Sequence, residues 1–456
     1  MFLLACVAEE PAKLVDSEAD APPPQLEGAA LVTRLSLDLR GVRPSSAELQ
    51  QDPESLLEEW VADPRFGTQV AWIWDEALRT AVWTASFDRF GPLDPALARE
   101  MGWEPLSLVE AVVAEDRAFT EVVTSDHFPP SELLPSIYPR EGGVYLDGRP
   151  AVGLLASTTL WLRYVGTASN HNRVRGHALA RSLLCSDFFE RDGGFLPEVD
   201  PEVLMVPETA VHEEVACLSC HASLDPMSNF LGGFSELSDR VPEQQYMEFS
   251  PFQASWARAY IQPVWYGVYV GSLDNLGATI AEDPRFARCA VERLYTGLVG
   301  QPPDPETHEA LTADFVEQGF RVQPLAASIV RGEAYRSTEP RLLRADQLHS
   351  SLEALGLDPP LELAWDAEVR AMGGYSDDDE WTTSASVPGT GTALLQTWTA
   401  QRVSPYEGTD LPSAYEAFLG RPPTASSLEG LEALYDEGGW PLVTEALVRH
   451  PDVVLH

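Results

Sequence analysis

Two cysteines and a histidine fall within five consecutive residues, Cys217-Leu218-Ser219-Cys220-His221. In a chain with 5 Cys and 9 His among 456 residues, chance would produce the pattern C-x-x-C-H only roughly 0.001 times. Thiols and an imidazole at this spacing can bind a metal ion, exchange disulfides or attach a haem covalently. This cluster is therefore the first candidate for chemistry.

Zinc and dithiol chemistry each leave part of the cluster unexplained. A structural zinc site needs four N or S ligands, usually from two separated pairs, whereas here His221 directly follows the only pair. Cys185, Cys289 or a distant histidine would have to complete the shell. A thiol–disulfide active site favours a helix N-terminus within a βαβ unit, and it gives His221 no role.

Covalent haem attachment uses all three residues. Two thiols three positions apart on a helical turn match the two vinyl groups of the porphyrin, and the adjacent imidazole lies under the iron. We therefore expect one covalent haem c, bound through Cys217 and Cys220 and ligated by His221. The sixth iron ligand stays open. The candidates are Met205, Met247, His212 or a vacant position.

The elements that would position this cluster are predicted to be mostly helices. Apolar spacing indicates helices over 151–166 and 172–189, while residues 265–270 are the best candidate for a short strand pair or an extended segment. Residues 374–403 are polar and predict a loop or a partly disordered insertion. The expected fold class is mostly α, with several small helical modules around a c-type haem domain and minor β.

A loose repeat organises three of these modules, at residues 31–49, 289–311 and 411–431. Each begins with an apolar helical stretch that ends at a glycine, followed by a proline and a capping residue that opens the next helix. The glycines are Gly41, Gly300 and Gly420, and the prolines are Pro44, Pro303 and Pro423. We expect these modules to be packing units, because they carry no clustered ligands.

The charge of the chain restricts its partners. Its 71 acidic and 30 basic residues give a net charge of −41, which repels phosphate backbones and anionic membranes. We therefore expect no nucleic-acid binding, and a redox partner protein that is basic. No stretch approaches the roughly 18 apolar residues of a membrane-spanning helix.

The first residues resemble the lipobox of bacterial lipoproteins, with Leu3-Leu4-Ala5 before Cys6. The following segment is acidic and Pro-rich, as a flexible tether is. A basic n-region and a longer apolar core do not precede Cys6, so we interpret this segment as a truncated signal, with the true start upstream. We expect the protein in the cell envelope, in the periplasm or on the outer membrane surface. Its only membrane contact would be a lipid anchor at Cys6.

Cys185 and Cys289 are single cysteines far apart in the sequence. In an exported protein they could form a disulfide, and in a reducing compartment they would be buried thiols. The sequence leaves both alternatives open.

The flanks of the cluster resemble the cytochrome-c-like haem-domain proteins of planctomycetes and myxobacteria, which carry a single C-x-x-C-H. The resemblance covers residues 31–80 and 150–340. The matching positions are Arg175-Gly176, Leu183-Leu184-Cys185, His212, Cys217, Cys220, His221, Asp225-Pro226, Phe286, Cys289 and Val299-Gly300-Gln301. The chain departs from the family after Asp225-Pro226, where it continues with Met227-Ser228.

The resemblance and the repeats together predict five segments. They are a truncated lipoprotein signal and tether (1–30), an N-terminal helical domain (31–105), a haem c domain (106–240), the helical C-terminal domain of the cytochrome-like unit (241–340) and a second helical module with a polar loop (341–456).

Electron transfer by a c-type haem protein is the preferred function, because the sequence shows no convincing acid–base pair. Whether the chain is also an enzyme stays open. One alternative is a peroxidase-like oxidoreductase with an open sixth position, for which His212, His177 or Arg175 could be the distal group. Another is a surface lipoprotein scaffold in which the haem is structural.

Overall fold

The computed structural model of the chain describes residues 25–81, 94–167, 171–188, 214–235, 246–357, 371–372 and 390–455. In these ranges the fold is mostly α with minor β, which confirms the predicted class. Of the segment 1–30 that was predicted as a signal and tether, residues 1–24 lie outside the described residues, and α1 begins within it at Gly28.

The helices before residue 270 include the one that carries the cysteine cluster. They are α1 (Gly28–Arg40), α2 (Pro53–Val61), α3 (Pro64–Leu78), α4 (Pro95–Ala114), α5 (Glu121–Thr124), α6 (Thr158–Arg163), α7 (Arg173–Leu184), α8 (Val215–Ser228) and α9 (Pro251–Tyr260). Short 3-10 helices cover 48–50, 134–136, 153–156 and 229–231.

The remaining helices build the C-terminal part of the chain. They are α10 (Leu273–Glu282), α11 (Pro284–Val299), α12 (Pro305–Glu317), α13 (Val322–Arg331), α14 (Ala345–Ala354), α15 (Thr390–Ala400), α16 (Leu411–Leu419) and α17 (Ala425–Val448), with a 3-10 helix at 451–454. Helix α17 is kinked at Gly439, whose φ is 68°.

Five of these helices begin at an Asp-Pro pair. In each, the aspartate accepts a hydrogen bond from a backbone N–H of the first turn, and the proline occupies a first-turn position where its missing N–H costs nothing. The pairs are Asp52-Pro53, Asp63-Pro64, Asp94-Pro95, Asp283-Pro284 and Asp304-Pro305. Two adjacent residues thus determine where each helix starts.

The predicted glycine ends of the repeated modules are confirmed. Gly41, Gly300 and Gly420 have φ values of 73°, 86° and 70°, and each terminates its helix in the left-handed conformation. The helix predicted after Pro44 is wrong, because only a 3-10 turn at 48–50 forms there. In the other two modules, Asp304 and Thr424 cap the next helix as predicted.

Two clusters of buried apolar side chains hold the fold together. The first runs from Leu31 to Tyr335, and the second consists of Leu37 and residues from Leu342 to Val454. The predicted segments 31–105, 106–240 and 241–340 all contribute to the first cluster. Helix α1 joins the two, since its Leu37 belongs to the second cluster.

Polar contacts reinforce this junction. The Arg34 guanidinium donates to the carbonyls of Tyr335, Ser337 and Glu339 at 3.0, 2.6 and 2.7 Å. The side-chain amide of Gln347 donates to the Leu37 carbonyl at 2.9 Å.

The strands form two antiparallel hairpins, β1 (Arg140–Glu141) with β2 (Val144–Tyr145) and β3 (Val264–Trp265) with β4 (Val268–Tyr269). The strand pair predicted over 265–270 is therefore confirmed. The helix predicted over 151–166 is divided into the 3-10 helix 153–156 and α6. The loop predicted over 374–403 is wrong for 390–400, which form α15, while 373–389 lie outside the described residues.

Candidate haem-attachment site

Helix α8 carries the whole cysteine–histidine cluster. Because successive residues of an α-helix are about 100° apart, Cys217, Cys220 and His221 fall within an arc of about 100° on one face. Both cysteines are free thiols and half-buried. The two thiols and the imidazole therefore face the same side of one rigid element.

The imidazole of His221 is oriented by a carboxylate one turn further along the helix. His221 Nδ1 lies 2.9 Å from Asp225 Oδ1. A carboxylate can only accept a hydrogen bond, so the proton of the neutral ring is on Nδ1 and the lone pair is on Nε2. Nε2 is thus the nitrogen that can ligate a metal.

Arg173 of α7 completes this arrangement from the neighbouring helix. Its Nε and Nη2 donate to the two oxygens of Asp225 at 2.7 and 2.9 Å. The Asp225 side chain is only 10% exposed. Burial raises the pKa of this carboxyl, but the hydrogen bonds from His221 and Arg173 outweigh burial and lower the pKa to about 2. The carboxylate therefore stays ionised at any physiological pH.

Close packing of α7 on α8 requires a glycine. A Cβ at Gly176 would lie 2.3 Å from Ser228 Oγ and 3.2 Å from Ser228 Cα. The next residue back, Arg175, is fully buried. Its guanidinium donates to the carbonyls of Tyr164, Phe234 and Ser235. The Arg-Gly pair thus fixes α7 in the core and allows α8 to approach it.

The far end of α7 is held covalently. Cys185, which follows Leu184 in the left-handed conformation, forms a disulfide with Cys289 of α11, with a Cα–Cα distance of 5.2 Å. The disulfide alternative for these two cysteines is therefore the one that the structure adopts. Three residues later, the carbonyl of Phe188 lies 3.4 Å from Cys220 Sγ, which places the cluster beside this covalent link.

The candidates for the sixth ligand are only partly within the described residues. Met205 and His212 lie outside them. Met247 is fully buried, and its sulfur accepts hydrogen bonds from Arg175 Nη2 and Ser235 Oγ, each at 3.2 Å. This sulfur is already engaged in the core, so the contacts do not favour Met247 as an axial ligand.

The structure also describes Arg175 and His177, the two other candidates for a distal group. Arg175 is engaged by the core contacts above and is not available as a distal cation. His177 Nε2 lies 3.7 Å from Asp187, and its ring centroid lies 6.2 Å from that of Phe188.

Two contacts of the candidate site were not predicted from the sequence. Asp225 was matched only as part of an Asp-Pro pair, although its position four residues after His221 on a helix is a signal for a contact. Arg173 gave no such signal, because it lies 52 residues from Asp225 in the sequence.

Within the part of the chain that the structure describes, no three His, Cys, Asp or Glu side chains converge to hold a bare metal ion. The two thiols and the imidazole instead fit a covalent haem. A haem is attached to thiols through its vinyl groups and to an imidazole through its iron, so the three side chains need not converge on one ion.

Among the described helices, none is long and apolar enough to cross a membrane.

Comparison of the chain with known protein families, with curated proteins and with solved structures finds no match.

Proposed function

We propose that this protein is a c-type haem protein of the cell envelope that transfers single electrons through one covalently bound haem. The observation that carries the proposal is the face of α8, where two free thiols lie beside an imidazole whose Nδ1 is held by Asp225. Cys217 and Cys220 would form the two thioether bonds, and His221 Nε2 would be the proximal ligand. When bound, the haem supplies a one-electron redox couple.

The contacts around His221 support electron transfer rather than acid–base catalysis. Asp225 is held ionised by Arg173 and His221, so it can orient the imidazole but is a poor proton donor. A rigid, unchanging ligand geometry reduces the rearrangement that accompanies each change of charge. The pairing of α7 with α8 provides that rigidity through Gly176 and the Cys185–Cys289 disulfide.

The proposed location and partner rest on charge and on cysteine chemistry. Disulfides persist in oxidising compartments, which is where c-type haem is attached, so the Cys185–Cys289 bond supports export. A lipid anchor at Cys6 remains part of the proposal and lies outside the described residues. The net charge of −41 favours a basic redox partner.

Haem attachment can be tested by expressing the full chain in a bacterial periplasm together with a c-type haem attachment system. We expect haem that stays with the denatured polypeptide and adds the mass of one haem. The double variant Cys217→Ala/Cys220→Ala should carry none, while Ser219→Ala, changed between the same two cysteines, should carry the full amount. Covalent haem in the double variant, or none in the unmodified chain, would refute the attachment.

Absorbance spectra of the oxidised and reduced protein then separate electron transfer from the alternatives. A low-spin haem that cycles reversibly between both states supports the proposal. A high-spin haem that reacts with hydrogen peroxide would contradict it and favour a peroxidase-like oxidoreductase. A haem that no external donor can reduce would favour the structural role.

A further inference from the structure

Helix α9 presents its largest side chains to solvent. Phe252, Trp256 and Tyr260 are 80%, 66% and 81% exposed, and their spacing of four residues places them in one stripe along the helix. The rings of Trp256 and Tyr260 stack with centroids 6.0 Å apart. We call these three residues the aromatic stripe.

The inner side of α9 is built from small residues. Ala254 is buried, and a Cβ added at Gly232 would lie 2.5 Å from Ala257 Cβ. The end of the helix is tied down by Asn229, whose side-chain amide donates to the carbonyls of Ala257 and Ile261. The helix is therefore anchored with its apolar bulk pointing outward, the reverse of an ordinary amphipathic surface helix.

The stripe lies in a stretch of the chain without acidic residues. Its exposed flanks are Gln253, Ser255 and Ala259, and the single charged residue of α9, Arg258, donates a hydrogen bond to Ser255 Oγ at 3.0 Å. Residues 249–273 contain no aspartate or glutamate, although the chain has 71 acidic residues. Two copies of a chain with a net charge of −41 repel each other wherever acidic surface meets acidic surface. Pairing through this stretch sets no acidic residue of one copy's stretch against one of the other's, so the repulsion that remains comes from the rest of the two chains.

The stripe is also complementary to itself. Phe252 and Tyr260 are equally distant from Trp256 along the helix, so an antiparallel pairing about a two-fold axis sets each Phe252 against the other copy's Tyr260. We propose that α9 is a self-association surface on which two copies of this chain pair through the aromatic stripe, with the two Trp256 side chains at the axis.

The expected dimer is weak. The three rings offer roughly 450 Å² of exposed surface per copy, given about 150 to 250 Å² for a whole aromatic side chain. A standard stable interface buries about 1,600 Å² in total, so the dissociation constant should be on the order of micromolar.

Sedimentation equilibrium of the purified full chain tests the pairing. Between about 1 and 100 µM protein, the average mass should rise from one chain toward two, as a micromolar dissociation constant requires. Raising the salt from 10 to 150 mM should tighten the association, because the screening length falls from about 30 to about 8 Å and weakens the repulsion between like-charged copies. A single-chain mass over the whole range would overturn the proposal.

Substitutions locate the contact. Trp256→Glu places two carboxylates at the axis and should abolish the dimer, and Phe252→Ala and Tyr260→Ala should each weaken it by about tenfold or more. Leu394→Ala is the matched control, because Leu394 is 65% exposed on a different helix, α15. Unchanged circular dichroism would show that each variant folds. A dimer that survives Trp256→Glu, or that is lost equally in Leu394→Ala, would place the contact elsewhere.

Other occupants of the stripe give different results. A chain that stays monomeric but binds phosphatidylcholine vesicles through Trp256 would assign the stripe to a membrane surface and overturn the proposal. A chain that stays monomeric and forms a salt-sensitive complex with a basic cytochrome c, lost in Trp256→Glu, would do the same in favour of a redox partner. The measurements on the chain alone do not involve haem, so they also hold for Cys217→Ala/Cys220→Ala.

Discussion

Helices α8 and α9 flank the same short 3-10 helix at 229–231, yet they hold their important side chains in opposite ways. On α8, His221 is oriented by Asp225, which is itself held by Arg173 from α7. On α9, the aromatic stripe faces solvent and small residues form the buried side. One helix thus holds a half-buried imidazole in a fixed orientation, and the other leaves its aromatic side chains in solvent.

Changes around α7 and α8 should therefore destabilise the fold, and changes on the outer face of α9 should not. The free energy of unfolding, measured by urea denaturation, is the common scale for the predictions that follow.

The largest effect is expected from the covalent link at the end of α7. The Cys185–Cys289 bond joins residues 104 positions apart. Its loss should lower the free energy of unfolding by about 4 kcal/mol, because the unfolded chain gains conformational entropy without this link. The double variant Cys185→Ser/Cys289→Ala should show this loss in urea. Reductant should destabilise the unmodified chain by a similar amount and leave the variant unchanged, and equal stability of the two oxidised proteins would contradict the prediction.

The contact between α7 and α8 should give the next effect. Gly176→Ala forces a Cβ against Ser228, which should cost about 2 to 3 kcal/mol because both helices must move apart. Gly430→Ala in α17 is the matched control, since a Cβ there meets nothing within 4 Å, and it should stabilise the chain by about 0.5 to 1 kcal/mol. Equal effects of the two substitutions would show that α7 and α8 do not pack closely.

Features that depend on neighbouring residues can be predicted from the sequence, whereas features that depend on distant contacts cannot. Helix ends at Gly41, Gly300 and Gly420, and starts at Asp-Pro pairs, depend on neighbouring residues and are readable in advance. Helix α15 was missed because its four threonines and one glycine are weak helix formers, while distant contacts stabilise it. One of them is the bond from the Gln396 amide to the Val448 carbonyl.

The residues of the candidate site differ in the same way, since some are predictable from local spacing and others depend on how the helices pack. Cys217, Cys220 and His221 are recognisable because their spacing alone carries the chemistry. The orientation of His221 depends on Asp225, which helical spacing could have predicted, and on Arg173, which only the packing of α7 on α8 brings close. The self-associating face was invisible, because the pattern of Phe252, Trp256 and Tyr260 is equally typical of a buried stripe.

The ionised state of Asp225 should appear as a loss of stability in acid, measured in the haem-free variant Cys217→Ala/Cys220→Ala. The pKa of this carboxyl is lowered to about 2 in the folded chain, so its contribution is complete above the pKa of the unfolded chain, near 4. It disappears as the pH falls through about 2. The loss should be about 2 kcal/mol between pH 4 and pH 2.

Adding Asp225→Asn to that variant isolates the contribution. The amide cannot ionise, so this protein should be less stable at pH 6 and should lose about 2 kcal/mol less than its parent between pH 4 and pH 2. Parallel pH profiles of the two proteins would show that the carboxylate of Asp225 does not hold the site.

The smallest change in the free energy of unfolding is expected for Phe252 on α9. Phe249, three residues earlier and buried, is the comparison. Phe249 is 5% exposed and its ring meets that of Phe234 with centroids 5.0 Å apart, so Phe249→Ala should cost about 3 to 4 kcal/mol. Phe252 is 80% exposed, so at concentrations well below self-association Phe252→Ala should change the free energy of unfolding by no more than about 0.5 kcal/mol. A cost above about 1 kcal/mol for Phe252→Ala would mean that the stripe packs within its own chain. In that case α9 would be held from both sides, and the contrast with α8 would disappear.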